Sequence, residues 1–136
     1  MGNALEVEFD ELLRQVAGHS FWLSYLTDAA KPASPIGIHL AIFSEPFLTL
    51  VFSGKKTVES RFSRNRCAPY GEIGDGDIIL IKEVAGPICG VALAKRTWCY
   101  DLLTEPIDRI RERFDAGICA DDDFWFLSHR HPRRRR

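Results

Sequence analysis

No apolar run in the chain approaches the roughly 20 residues of a membrane span. The opening stretch carries Glu6, Glu8 and Asp10 and no basic cluster, so it does not read as a secretory leader. Together these absences set the expectation of a cytoplasmic protein with no membrane partner. Cysteine is scarce and badly placed for metal: Cys67, Cys89, Cys99 and Cys119 include no C-x-x-C pair and lack the spacing of a zinc site. Two disulfides are arithmetically possible, yet nothing suggests secretion. The four thiols are expected to be reduced, small and mostly buried. No metal or other cofactor is expected, and there is no internal repeat. The histidines add little. His39 falls on a half-buried strand and reads as a satisfied core histidine, His19 lies at a helix end, and His129 and His131 sit in an arginine-rich tail.

What is present is an ordinary globular composition. With 136 residues, 46% apolar and 27% charged, the chain suits one domain with a short appendage. A chain of this size buries roughly two-thirds of its unfolded surface and needs no staple. The net charge of −1 hides an uneven distribution. Residues 55–66 hold Lys55, Lys56, Arg61, Arg64 and Arg66 against Glu59 alone, and the tail from Arg130 adds five arginines and no acid. The rest of the chain is acidic. A basic patch on an acidic body points to a localised anion site; a solvated charged loop is the plainer alternative.

The periodicity divides the chain. Leu5, Phe9, Leu12, Leu13 and Val16 predict an amphipathic helix over 5–17, and a second helical stretch covers 21–30 before the Pro32 and Pro35 linker. Ile36, Ile38, Leu40 and Ile42 then alternate with Gly37, His39, Ala41 and Phe43 as in a half-buried strand. Ser44 is the expected N-cap of a short helix through Phe47, Leu50 and Val51, closed by Gly54. From 57 to 62 a strand is expected, with Thr57, Glu59 and Arg61 on one side and Val58, Ser60 and Phe62 on the other. The turn 74–77 launches a strand from Ile78, and Gly86-Pro87 turns into another over 88–94. Thr104 is expected to cap a last helix over 105–114, ended by Gly117. Arg109, Arg111 and Arg113, two residues apart, fan around it. The organisation expected is a helical extension and linker at 1–35, a folded domain at 36–128 and an Arg-rich tail at 129–136. The N-terminal helices are free to cover the domain or to contact a protein partner.

The chemistry concentrates in Gly54-Lys55-Lys56-Thr57-Val58-Glu59-Ser60-Arg61. Glu59 and Arg61 on one side can pair, orienting the guanidinium towards a phosphate or carbonyl. Lys56 adds a point charge or, if desolvated, a base or nucleophile. Tyr70, Trp98 and Tyr100 are aromatics able to stack a base, with core filling the expected role of Trp98. The alternative for the whole segment is a structural ion-pair network.

Strand, short helix, G-x-K-x-x-E-x-R, turn, G-D-x-I strand and small-residue strand together resemble the ASCH domain, the activating signal cointegrator homology group of the PUA-like superfamily. The resemblance covers roughly residues 36 to 126 and is sharpest at Gly54, Lys56, Glu59 and Arg61, supported by Gly76-Asp77-Ile78 and Phe124-Trp125. It implies an α+β fold: a small PUA-like β-barrel with short flanking helices, binding RNA or a modified nucleoside in a cleft lined by the motif. Lys55, Lys56, Arg61, Arg64 and Tyr70 are the implied binding residues, with Lys56 and Glu59 as an acid–base pair if the protein is a hydrolase. One branch of the family deacetylates N4-acetylcytidine with a Lys-Thr-Glu set, and others are reported as ribonucleases. Lys56 stands at the place of that lysine, but Glu59 occupies the threonine position, which favours binding. The family's final apolar strand has no counterpart in Leu127 to Arg136, where Pro132 and the arginines suit no central strand. Either the barrel closes differently, or the final strand is present only in a truncated or altered version.

Overall fold

A computed structural model describes residues 4–62 and 72–125. These form two compact units, one from residues 4–43 and 73–97, the other from residues 44–62, 72 and 98–125. The architecture is mixed α+β.

In the first unit, β1 (Ile38–Phe43) pairs parallel with β2 (Ile78–Glu83), which pairs antiparallel with β3 (Ile88–Leu93) in the order β1-β2-β3. Among the described residues this three-stranded sheet does not close. The helices α1 (Ala4–Gln15) and α2 (Ser20–Ala29) pack against it. Their Leu12, Leu26 and Ala29 form one core with Ile78 and Leu80 of β2, joined by Val91 and Leu93 of β3. Strand register puts Leu80 beside Leu40 on one side and Val91 on the other, so all three share a sheet face. Leu40 is nevertheless 44% exposed, and Ile38 and Ile42 are exposed too, so the apolar side of β1 is not the buried one. Its buried residue is Phe43, on the alternate face.

Asp77 ties the mouths of the two parallel strands. Its carboxylate accepts hydrogen bonds from the Gly37 N–H (2.9 Å) and the Gly74 N–H (2.8 Å) and meets His39 Nε2 at 2.8 Å. His39 is thus the satisfied, half-buried histidine expected. The Gly74 N–H leads the interactions that hold the Asp77 carboxyl below its usual range, while partial burial opposes them.

The second unit contains α3 (Phe47–Phe52) and α4 (Ile107–Ile118). Pro46, not Ser44, stands at the α3 N-cap; the Glu45 carboxylate takes over the capping, accepting from Thr49 N–H (3.2 Å) and Oγ1 (2.7 Å). Thr104 does not cap α4. Asp101 organises that turn, its carbonyl accepting from the Thr104 and Glu105 N–H groups at 3.0 and 2.8 Å, and the N-cap is Pro106. The helix runs through Gly117 and ends at Cys119, which adopts the left-handed conformation with φ of 59°. The core here joins Ile107, Ile110, Ile118 and Trp125 to Val58, Phe62, Tyr100 and Phe114. Trp125 is almost fully buried, and its Nε1 donates to Asp115 at 2.9 Å.

No strand forms at 57–62. The Thr57 and Val58 N–H groups both donate to the Gly117 carbonyl, at 2.9 and 3.1 Å, so the segment is anchored to the end of a helix instead of to a neighbouring strand. Gly117 is therefore a contact residue, not a helix stop: a Cβ there would lie 2.7 Å from Val58 Cγ2 and 3.0 Å from Thr57 Oγ1.

Candidate nucleic-acid interface

The segment begins where α3 stops. Gly54, at φ of 80°, takes the left-handed turn that other residues avoid, and its N–H returns to the Val51 carbonyl at 3.1 Å. The Lys56 N–H then closes onto the Leu50 carbonyl at 3.0 Å. From there side chains alternate as expected, although no ladder imposes it. Lys55, Thr57, Glu59 and Arg61 are exposed, whereas Lys56, Val58, Ser60 and Phe62 turn inward.

Lys56 is thus one of two buried charged residues among those described, 6% exposed. Its Nζ donates to the Val58 carbonyl at 2.9 Å and to the Ile118 carbonyl at 2.6 Å. The second acceptor belongs to the last turn of α4, where backbone carbonyls lack helical donors and the helix dipole favours a cation. The ammonium also lies 5.4 Å from the centre of the Phe47 ring and 3.9 Å from Glu59 Oε1. Burial pushes the Lys56 pKa below that of an ordinary lysine; the Glu59 carboxylate, then Cys119, oppose the shift. Glu59 Oε2 in turn stands 4.0 Å from the Arg61 guanidinium. The three charges expected to cooperate are therefore adjacent, with Glu59 between a buried and an exposed cation. Ser60 Oγ is buried beside them without a partner among the described residues.

No protein-family model, curated protein or solved structure matches this chain.

Lys55 is exposed on the same segment, while Arg64 and Tyr70 lie outside the described residues. Of the remaining aromatics, Trp98 is not core filling. It is 40% exposed, with its ring 4.8 Å from that of Phe114 and the Arg113 guanidinium 5.4 Å above it. Tyr100 is half-buried, and its hydroxyl accepts from Arg113 Nη1 at 3.0 Å. The expected fanning of the α4 arginines brings Arg109 and Arg113 to one groove, while Arg111 turns to Trp125 and Asp122. The thiols depart from expectation as well: Cys89 and Cys99 are exposed, and Cys119, half-buried, donates to the Lys55 carbonyl at 3.3 Å. Cys67 lies outside the described residues. Among the described residues no group of three His, Cys, Asp or Glu side chains could hold a metal ion, and no helix is long and apolar enough to cross a membrane.

Sequence reasoning missed two features. One is the Asp77 knot, two of whose partners, Gly37 and His39, sit some 40 residues away along the chain. The other is the use of Lys56 as a ligand for helix-end carbonyls. The only sequence signal for the latter was its place in the inward row with Val58, Ser60 and Phe62.

Proposed function

We propose that the protein binds RNA or a modified nucleoside through residues 54–61, as part of an ASCH domain of PUA-like fold. The observation that carries this reading is the division of the segment into a buried lysine that fixes the backbone and an outward row that presents Lys55 and Arg61. A cation row held on an anchored backbone suits phosphate recognition, because little side-chain and loop freedom remains to be lost on binding. In this reading Glu59, 4.0 Å from the Arg61 guanidinium, helps to aim it towards a phosphate or base carbonyl.

Titration of short RNAs at several salt concentrations tests it. Affinity should fall as salt rises, and the double variant Lys55→Ala, Arg61→Ala should lower the slope by about one unit for each phosphate contact removed. Salt-independent affinity in the wild-type protein overturns the reading.

A hydrolase acting on RNA or on a modified nucleoside is the second reading. In its favour, Lys56 has a lowered pKa and lies 3.9 Å from Glu59, a pair suited to acid–base work. Against it, two of the three ammonium donors are committed to carbonyls. Glu59→Gln should abolish turnover and spare affinity if this reading holds; unchanged turnover eliminates it.

A further inference from the structure

The second unit carries another cluster of charges, apart from residues 54–61. Tyr100, Glu105, Arg109, Ile110, Glu112 and Arg113 line an open groove of about 520 Å³, within the usual size of small-molecule sites. Ile110 is buried and supplies an apolar floor. Arg109 and Arg113 are one helical turn apart on α4, so both guanidinium groups reach the same groove. Arg113 is held in place, bonded to the Tyr100 hydroxyl at 3.0 Å and lying 5.0 Å from the Phe114 ring centre.

The pairing pattern is what points to a ligand. Glu112 is three residues from Arg109, a spacing at which helical ion pairs form readily. Yet among the described residues Glu105, Arg109 and Glu112 make no ion pair and no side-chain hydrogen bond. Two cations and two anions thus converge on one groove without neutralising each other. A bare anion would engage the arginines alone and leave both carboxylates beside it unfavourably placed. A molecule with a strong acceptor at one end and paired donors at the other satisfies both signs.

We infer that this groove is a binding site for a single guanine nucleotide. The phosphate fits the two guanidinium groups, which present fixed forks of donors. Guanine offers adjacent N1–H and N2–H donors, the match for the two oxygens of a carboxylate at Glu105 or Glu112. The Tyr100 ring provides a stacking surface for the base. The site does not depend on Lys55, Lys56 or Arg61.

Calorimetric titration of the full chain with guanosine 5′-monophosphate, cytidine 5′-monophosphate, inorganic phosphate and free tyrosine tests the assignment. The guanine nucleotide should bind at least about tenfold more tightly than each of the others, the scale of one charge-assisted hydrogen bond. Arg109→Ala, and the double variant Glu105→Gln, Glu112→Gln, should each weaken it by about tenfold, while Lys55→Ala, Arg61→Ala leaves it unchanged. Arg109 is exposed, so its truncation should preserve the fold, which circular dichroism checks. Four results would each overturn the inference: equal affinity for phosphate, equal affinity for the cytidine nucleotide, tighter binding of tyrosine, or equal weakening by Lys55→Ala, Arg61→Ala. Because that last variant bears on the RNA proposal alone, the two readings fail separately.

Discussion

Replacing Lys56 with methionine separates anchoring from charge. Methionine keeps most of the side-chain volume, so the perturbation is loss of the ammonium and not creation of a cavity. Two carbonyls then lose their donor: Val58, at 2.9 Å, and Ile118, at 2.6 Å. A buried polar group left unpaired costs about 1–3 kcal/mol. Part of that is offset because an ammonium no longer has to be desolvated. The expected net destabilisation is about 2–4 kcal/mol, or roughly 10 °C in melting temperature for a chain of this length. Three tryptophans locate the effect: Trp98 and Trp125 report on the second unit and Trp22 on the first. Denaturation followed by fluorescence of single-tryptophan versions should show the loss in the second unit. A pH series adds a sign. The folded protein binds the Lys56 proton less tightly than the unfolded chain does, because burial lowers its pKa from 10.5. Between the lowered value and 10.5, raising the pH should therefore stabilise the wild-type protein relative to Lys56→Met. Below the lowered value the difference between them should be flat. An equally stable or more stable methionine variant would refute the claim that this ammonium holds the segment to α4.

Gly117→Ala should cost about 1–3 kcal/mol, since its Cβ would sit 2.7 Å from Val58 Cγ2 and must displace the segment that Lys56 anchors. Binding of RNA should weaken with it if the proposed interface is right; guanidinium denaturation and RNA titration measure the two effects. Asp77→Ala removes an acceptor shared by two N–H groups and a histidine, and should destabilise the first unit by about 2–4 kcal/mol in urea unfolding at neutral pH. With its folded pKa held below 3.8, Asp77 contributes stability that is complete above 3.8 and lost as pH falls through the lowered value. The gap between Asp77→Ala and the wild-type protein should close in acid, as an acid-unfolding titration would reveal.

How far the sequence could be read depended on whether a residue's partner was local. The inward and outward rows at 57–62 followed from alternation alone, and the burial of Val58 and Phe62 agrees with it. The strand itself did not follow, because alternation says nothing about which backbone groups will receive the N–H donors. At Thr57 and Val58 that acceptor is Gly117, some 60 residues on. Gly117 resembled a helix stop for the same reason: a glycine near a helix end supplies either a turn or close approach, and only the neighbour decides. The apolar row Ile38, Leu40 and Ile42 predicted a strand correctly, but not that α1 and α2 would pack over β2 and β3 and leave the β1 part of that face exposed. His39 was legible as half-buried; Asp77 as its partner was not. At the candidate site, Lys56, Glu59 and Arg61 were identified and do lie together. The depth of Lys56 depended on the distant α4 carboxyl end.

The parallel pairing of β1 with β2 also governs the order in which the chain can become protected during synthesis. The partners of Leu12 and Leu26 are Ile78 and Leu80, and the strand beyond them ends at Leu93. As the polypeptide leaves the ribosome, both helices emerge well before the sheet they cover, and among the described residues between them 44–62 and 72 belong to the other unit. The apolar faces of α1 and α2 must therefore wait, unburied, through the synthesis of the roughly 50 residues that separate Ala29 from Ile78. A ribosome-bound fragment ending before Ile78 should be a good chaperone substrate, and one extending beyond Leu93 by the length of the exit tunnel a poor one.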